Sequence, residues 1–224
     1  MIFFSNLMKA VIFGSIGTLV ETSDIQRQSF NKAFKTLGLD WYWSKDNYKN
    51  LLKKSGGANR VNYFSNLKKK FVDSKKVREI KTLFFNNYLK NNYINPRDGV
   101  LEVIEYAKLQ NIKIGLASTT SIENIDAIFK TLNKKIEKKD FDFIGNNELI
   151  KKVKPEPDIY IKALNDLGVN RDECIAIEDS LDSALSALRA KVECIAFPGL
   201  FHVDDDFSYC KKCLNKLDIS IFEN

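Results

Sequence analysis

The sequence predicts an α/β fold in which a parallel, doubly wound sheet carries an inserted α-helical domain. Two observations lead to this prediction. Short apolar runs typical of buried strands alternate with helical patterns in the second half of the chain, whereas a helical pattern alone fills residues 22–95. Strands joined through helices pair in parallel with right-handed crossovers. We therefore expect a core domain from residues 1–21 and 96–224, and a helical cap domain from residues 22–95.

The individual elements follow from the spacing of apolar residues and from stop signals. In the inserted segment, Phe30, Phe34 and Leu37 recur at helical spacing before a stop at Gly38. The segment after Pro198 is harder to assign from its pattern. The predicted strands are residues 9–13, 112–117, 141–144, 174–177 and 192–197, and the predicted core helices are residues 100–110, 122–132, 158–167 and 181–190.

Small and hydroxyl-bearing residues follow the first two predicted strands. Residues 14–18 come after the first strand, and the hydroxyl cluster at residues 118–121 comes after the second. In open α/β sheets, ligands bind outside the carboxyl ends of the strands, where small residues let backbone N–H groups approach an anion. We predict a phosphate-binding pocket that includes Ser15, Ser118 and Thr119. The hydroxyl cluster can also cap the helix that follows it.

Charged residues complete the predicted pocket. Lys154 places a cation in a loop whose prolines suit the first turn of a helix. Glu178 and Asp179 follow the fourth strand, and two adjacent acids at a strand end indicate a hard cation such as Mg²⁺. Simpler interpretations stay open, since Lys154 could belong to a solvated lysine run and the two acids could cap the next helix.

The four segments described above are residues 14–18, residues 118–121, the loop at Lys154, and Glu178 with Asp179. Together, and in this order along the chain, they resemble the motifs of the haloacid dehalogenase (HAD) superfamily of phosphatases and phosphomutases. Residues 22–34, 38–41, 48–52 and 56–60 resemble the helical cap of its CbbY and β-phosphoglucomutase group. The resemblance covers nearly the whole chain. It implies a HAD-like, Rossmann-like core, hydrolase or phosphatase activity on a small phosphorylated metabolite such as a sugar phosphate, and Mg²⁺ as cofactor.

Gly14 and Ile16 stand where the resemblance implies two catalytic aspartates. The aspartate at position 14 would be the nucleophile and a metal ligand, and the one at position 16 the general acid and base. Without the first carboxylate no phosphoaspartate forms, and an isoleucine side chain transfers no proton. We therefore expect a pseudoenzyme whose ordinary catalytic residues are absent.

The resemblance also implies how a metal would be held. Its ligands would be the side chain at position 14, the backbone carbonyl of Ile16 and Asp179, with Glu178 nearby. Because Mg²⁺ commonly binds through one or two carboxylates plus water and phosphate, a weakened site is compatible with the residues that are left. Without a metal, Lys154 is the expected counterion of the two acids, which would then repel a phosphate dianion.

The cap departs from the resemblance at two positions, where Ala58 and Gln26 replace a lysine and a histidine. Arg60 is the candidate ligand contact from the cap, although an exposed helix arginine is an equally good interpretation. Ser15 is the nearest substitute nucleophile, but strand alternation should turn it away from the site. We also expect Ile16 to favour a closed cap by burying apolar surface between the domains.

Three functions are compatible with these residues. The protein could bind a phosphorylated metabolite or a protein partner without turnover. It could instead be a phosphoester hydrolase with an unconventional nucleophile. It could also be a regulatory or interaction protein that binds neither phosphate nor Mg²⁺.

Composition limits the class of partner and the compartment. The chain has 224 residues, a hydrophobic fraction of 44% and a formal net charge of +6. Its lysine runs are scattered over several elements, which does not favour a specific nucleic-acid interface. No apolar stretch approaches the roughly 18 residues of a membrane span, and residues 1–7 do not resemble a secretion signal. The expected compartment is the cytoplasm, while the oligomeric state is left open.

The four cysteines and the single histidine suggest no metal centre. Cys174 and Cys194 fall in predicted buried strands, where a free cysteine acts as a small apolar residue. Cys210 and Cys213 form a lone CxxC without the second pair that zinc requires, so we predict surface-helix cysteines. With His202 as the only histidine, histidine-rich metal sites are excluded.

Overall fold

The computed structural model describes residues 8–53 and 56–223, so that the apolar start at residues 1–7 lies outside the described residues. The chain divides into two compact units at the Glu21–Thr22 and Asn92–Tyr93 junctions. The inserted segment Thr22–Asn92 forms a helical unit, and the remainder forms an α/β unit. Among the described residues, no helix is both long and apolar enough to cross a membrane.

The helical unit is held together by an aromatic core. Trp43 packs against Phe30 and Phe34, with ring centroids 4.7 and 4.8 Å apart, and all three side chains are buried. The side chain of Asn31 both donates to and accepts from the backbone of Trp43, which fixes the segment before the second helix. The helices are α1 (Ser23–Thr36), α2 (Lys45–Leu52), α3 (Gly57–Leu67) and α4 (Ser74–Asn91).

In the α/β unit, the described strands form one parallel sheet, as predicted. The strands are β1 (Ala10–Phe13), β2 (Lys113–Leu116), β3 (Phe143–Ile144), β4 (Cys174–Glu178), β5 (Glu193–Ala196) and β6 (Lys212–Cys213). The helices are α5 (Val100–Leu109), α6 (Ile122–Thr131), α7 (Asp158–Leu167) and α8 (Leu181–Arg189). The strand order is β3-β2-β1-β4-β5-β6, and every pairing is parallel.

The register of the sheet brings the candidate site residues to one edge. Phe13 at the end of β1 lies between Leu116 of β2 and Ile177 of β4. The backbone N–H of Gly14 then donates to the carbonyl of Ile177 at 2.9 Å, which continues the pairing for one residue beyond the strand. Consequently the residues after β1, β2 and β4 emerge side by side at the carboxyl edge.

The C-terminal segment corrects the prediction for the CxxC motif. Cys213 lies in the edge strand β6, which pairs with β5, and Cys210 lies in the turn before that strand. The two cysteines are therefore not on a surface helix. The strand was missed because its two residues are too few to show alternation, and because pairing with β5 rather than local sequence stabilises it.

A buried lysine in the helical unit was not singled out by the sequence. Lys81 of α4 is only 8% exposed, and its ammonium lies 4.6 and 5.5 Å from the ring centroids of Phe85 and Phe30. It donates to the side-chain oxygen of Gln26 at 2.9 Å. Burial, reinforced by the positive charges of Arg60 and Arg78, lowers the pKa of Lys81 to about 7.

We expect the stability of the helical unit to rise with pH because of Lys81. Between pH 7 and the ordinary lysine pKa, the unfolded chain carries a proton that the folded chain does not, so folding becomes more favourable as pH increases. The free energy of unfolding should rise by about 2 kcal/mol between pH 7 and pH 9. Urea titration followed by tryptophan fluorescence measures this free energy. The signal reports on the helical unit because both tryptophans of the chain, Trp41 and Trp43, lie in it.

A matched pair of variants isolates this effect. In Lys81→Met the rise should disappear, and stability at pH 6 should exceed that of the native chain because no ammonium is buried. Lys90→Met changes an exposed lysine of the same helix and should keep the native pH dependence. An identical pH slope in Lys81→Met and the native chain would show that Lys81 keeps its proton.

Candidate anion-binding site

Position 14 is filled by neighbouring side chains and leaves no room for a side chain of its own. A Cβ atom built on Gly14 would collide with the Oε2 oxygen of Glu178 and lie 2.5 Å from the hydroxyl oxygen of Thr18. Gly14 itself is fully enclosed at the end of β1. The volume in which the side chain of an aspartate would begin therefore holds the carboxylate of Glu178.

Glu178 is a buried carboxylate with one paired and one unpaired oxygen. Its side chain is 1% exposed, and its Oε1 oxygen accepts from the Lys154 ammonium and from the Tyr160 hydroxyl. Its Oε2 oxygen has no hydrogen-bond partner among the described residues, and neither does the buried Thr18 hydroxyl. An unpaired carboxylate oxygen in the interior is costly, so this oxygen is suited to accept from a ligand or to bind a cation.

Tyr160 was missed by the sequence analysis, because in sequence it is one more apolar position of α7. The side chain is completely buried, and its hydroxyl donates to Glu178. Burial, followed by the negative charge of Glu178, raises the pKa of Tyr160 well above its ordinary value. Tyr160 is therefore a neutral hydrogen-bond donor that holds the Glu178 carboxylate in place.

The two predicted serines meet directly. The Ser15 hydroxyl donates to the Ser118 hydroxyl at 2.9 Å, and both side chains are buried. Strand alternation, which should turn Ser15 away, does not apply because β1 ends at Phe13 and Ser15 lies in the following turn. Thr119 is half-buried beside Ser118, and the N–H of Thr120 donates to the Ser118 hydroxyl at 3.3 Å.

Within the described residues, Ser121, Glu178 and Asp179 make no side-chain capping hydrogen bonds to the helices that follow them. Ser121 occupies the N-cap position of α6, but its side chain makes no capping hydrogen bond. At the start of α8, the N–H of Leu181 donates to Asp205 at 3.2 Å. Within the described residues, neither Glu178 nor Asp179 makes a side-chain capping bond to that helix, so any stabilisation of its N-terminus by these acids acts through the helix dipole alone.

Asp179 is packed between two glycines that leave it room. Gly17 has a φ of 85°, and a Cβ atom on it would overlap the carboxylate of Asp179. A Cβ atom on Gly199 would lie 3.1 Å from Asp179 Oδ2 and 3.3 Å from Glu21 Oε2. Burial, together with the negative charge of Glu178, raises the pKa of Asp179 to about 7. The surroundings of Asp179 therefore disfavour its charged form.

The donors at this edge fit a hydrated Mg²⁺ ion in chemical type. Glu178 and Asp179 supply carboxylates, Ile16 supplies a backbone carbonyl, and the Oε2 oxygen of Glu178 has no partner among the described residues. Among the described residues, no group of three or more histidine, cysteine, aspartate or glutamate side chains could hold a metal ion. Two carboxylates and one carbonyl fit an ion that keeps several of its waters. Ile16, which supplies the carbonyl, is half-buried.

Arg97 is a second residue that sequence analysis missed, because no motif surrounds it. Its guanidinium donates to the carbonyl oxygens of Gly17, Phe197 and Pro198, the last two at 2.8 Å. Its central carbon also lies 3.4 Å from the centroid of the Phe197 ring. Arg97 thereby ties the loop after β1 to the loop after β5, and places a fixed positive charge in the electrostatic field of Asp179.

The three positions of the helical unit that the sequence singled out, Arg60, Gln26 and Ala58, have different surroundings. Arg60 lies in the first turn of α3, is half-buried, and has its guanidinium 5.9 Å from the centroid of the Tyr48 ring. Half-burial is compatible with both interpretations of Arg60, the ligand contact and the helix arginine. Gln26, where the resemblance implies a histidine, accepts a hydrogen bond from Lys81. Ala58 is half-buried in α3.

Comparison with known proteins gives the family. The haloacid dehalogenase-like hydrolase model matches residues 11–197. The chain is 35% identical to Protein CbbY of Rhodobacter capsulatus, with 90% of each chain covered, and 32% identical to Protein CbbY of Cereibacter sphaeroides, with 93% and 92% covered. These matches extend over both the sheet and the inserted helices.

Solved structures agree with this result. The structure of CbbY from Rhodobacter sphaeroides in complex with phosphate has a TM-score of 0.85 at 31% identity, covering 93% of this chain and 94% of that one. A variant of that protein in complex with xylulose-(1,5)bisphosphate has a TM-score of 0.83 at 30% identity, with the same coverage. β-Phosphoglucomutase from Clostridium difficile shares the fold, with a TM-score of 0.73 at 23% identity over 93% and 91% of the chains. The chain therefore belongs to the haloacid dehalogenase-like hydrolase family.

Proposed function

We propose that this protein binds a small phosphorylated metabolite at the carboxyl edge of its sheet and does not hydrolyse it through a phosphoaspartate. The observation that carries this proposal is Gly14, around which Glu178 and Thr18 occupy the space of the missing nucleophile. CbbY structures in complex with phosphate and with xylulose-(1,5)bisphosphate support a sugar phosphate as the class of ligand.

The residues at this edge are suited to binding and poorly suited to attack. The Glu178 carboxylate crowds the space where an aspartate side chain would begin, and its other oxygen is already bonded to Lys154 and Tyr160. Ile16 supplies no proton for a leaving group. Removal of a nucleophile from a well-studied hydrolase costs on the order of a million-fold in rate, so turnover close to background is expected.

Each predicted residue keeps a role in binding. The hydroxyls of Ser15, Ser118 and Thr119 would donate to phosphate oxygens, and Lys154 would supply the nearby positive charge. Arg60 is the proposed anion contact contributed by the helical unit. Lys154 is shared with Glu178, so part of its charge is already neutralised before a ligand arrives.

A bound Mg²⁺ would offset the acids that otherwise repel phosphate. The Ile16 carbonyl and the carboxylates of Glu178 and Asp179 would hold it, and the ion would supply charge neutralisation to the phosphate oxygens. Burial and the Glu178 charge raise the pKa of Asp179, and a bound cation would oppose both effects. Phosphate affinity should therefore depend on the metal.

Titration calorimetry with inorganic phosphate and with sugar phosphates tests the proposal. We expect binding in millimolar Mg²⁺ and at least a tenfold weaker affinity in excess chelator, since roughly 1.4 kcal/mol of charge neutralisation corresponds to that factor. Lys154→Met should weaken binding, while Lys151→Met, which changes an exposed lysine nearby, should not. Equal affinity with and without chelator would contradict the metal dependence.

The alternative functions give different results in the same experiment. A hydrolase that used Ser15 as nucleophile would release phosphate, and it would lose that activity in Ser15→Ala. The structure does not favour this route, because the Ser15 hydroxyl donates to Ser118, which is not a general base. A purely interacting protein would bind neither phosphate nor Mg²⁺. The cytoplasm is the proposed compartment, and fractionation of cells that express the tagged chain tests it.

A further inference from the structure

Two cysteines that are distant in sequence meet at the β5–β6 edge of the sheet. Cys194 is fully buried in β5, and Cys210 lies in the turn before β6. Their thiols are hydrogen-bonded to each other. The backbone N–H of Lys211, the residue after Cys210, donates to the Cys194 carbonyl at 2.8 Å. Cys210 also packs against the hydrophobic cluster that contains Cys194, so the two residues are neighbours at the β5–β6 edge.

The two thiols of this pair differ in access and acidity. Cys210 is half-buried at the margin of the main hydrophobic core, whereas Cys194 is a fully buried member of that core. The hydrogen bond between them lowers the pKa of Cys210 and raises the pKa of Cys194. Because the thiolate is the reactive form of cysteine, Cys210 is the thiol that reacts first.

The other two cysteines lack this combination. Cys213 is exposed on β6, but partial burial and the neighbouring Cys210 raise its pKa. Cys174 is buried in β4, and burial raises its pKa to about 12. Cys210 is therefore the most reactive cysteine at this edge, and its thiol is hydrogen-bonded to the buried Cys194.

We propose that Cys210 and Cys194 are an oxidisable pair that a hydroperoxide converts to an intrachain disulfide. The Cys210 thiolate attacks the peroxide, the O–O bond breaks, and the products are a Cys210 sulfenic acid and hydroxide. The Cys194 sulfur, which gives up its proton, then attacks the Cys210 sulfur and expels water. Overall, two thiols lose two hydrogens and one hydroperoxide is reduced.

The disulfide would close a segment that touches the candidate site. Between Cys194 and Cys210 the chain passes Gly199, whose N–H donates to the Asp179 carbonyl at 2.9 Å. The same segment provides the Phe197 and Pro198 carbonyls that accept from Arg97. Oxidation would therefore restrain the loop that packs on Asp179, whether or not the anion-binding proposal holds.

Thiol counting and peptide mapping test the pair on the full chain. After treatment with one equivalent of hydrogen peroxide and denaturation, free thiols should fall from the four present in the reduced chain to two. Mass spectrometry should find one disulfide-linked peptide pair, Cys194 with Cys210, and unmodified Cys174 and Cys213. Dithiothreitol should restore four thiols.

Variants assign the two roles. In Cys194→Ala, the disulfide should be lost and a dimedone adduct should accumulate on Cys210. In Cys210→Ser, which changes a half-buried residue, peroxide should leave the three other thiols intact. Cys213→Ser is the control and should form the same disulfide at the native rate. A Cys210–Cys213 disulfide, oxidation confined to Cys213, or four surviving thiols would each overturn the proposal.

Discussion

Replacement of Gly14 and Ile16 by aspartate is expected to raise the Mg²⁺-dependent hydrolysis of phosphate esters by at least about a thousandfold over the native chain. The change supplies both a nucleophile and a proton donor, whose absence costs on the order of a million-fold in a well-studied hydrolase. Recovery should be partial because the Glu178 carboxylate and the Thr18 hydroxyl occupy the space of the new side chain. Both groups are side-chain ends, and the substitution requires them to turn away from position 14.

Phosphate release measured with a panel of sugar phosphates checks this result, and trapping of an acyl phosphate at position 14 identifies the route. The matched control is Gly14→Asn with Ile16→Asp, which adds the same volume without a nucleophilic carboxylate. It should stay at the native level. Equal activity of the two double variants, or robust native turnover that Lys154→Ala abolishes, would show that another group attacks phosphorus.

Truncation of Lys154 is expected to destabilise the α/β unit by about 3–5 kcal/mol, the usual cost of leaving a buried charge without its partner. The Lys154 and Glu178 side chains are only 10% and 1% exposed. In Lys154→Ala, the Tyr160 hydroxyl would be the remaining described donor to Glu178, since the Oε2 oxygen already has no partner. The buried carboxylate would then lose the ammonium group that compensates its charge.

Chemical denaturation in the absence of phosphate and metal measures this loss. Lys154→Met combined with Glu178→Gln removes both charges at similar volume and should recover most of the stability. Lys151→Ala, at an exposed position of the same loop, should change the unfolding free energy by less than about 0.5 kcal/mol. A loss in Lys154→Ala no larger than in Lys151→Ala would mean that the pair is solvated.

The prediction of the fold depended on patterns that are local in sequence. Helix α7 begins and ends at the predicted residues, because Asp158 and Gly168 mark its two ends. Strand β3 is shorter than its predicted segment and β6 was not predicted, since short edge strands are stabilised by a neighbouring strand. Apolar periodicity records burial on a face, but not which short segment pairs with an existing edge.

The edge of the sheet at which the candidate residues lie was predictable, but their contacts were not. Ser118, Lys154, Glu178 and Asp179 could be assigned to one edge, because parallel strands place their carboxyl ends together. Tyr160 and Arg97 could not, because a single tyrosine in a helix and a single arginine in a loop carry no spacing signal. Their roles depend on a buried carboxylate and on three carbonyl oxygens that only folding brings within reach.

The sequence by itself determined that this protein has an α/β core with a helical insertion, and that positions 14 and 16 hold neither a nucleophile nor a proton donor. These conclusions follow from residue identity and periodicity, which do not change on folding. Only the tertiary structure decided that Glu178 fills the space at Gly14, that Ser15 turns to Ser118, and that Cys194 meets Cys210. Such contacts join residues far apart in the chain, and their geometry is set by how the strands and helices pack.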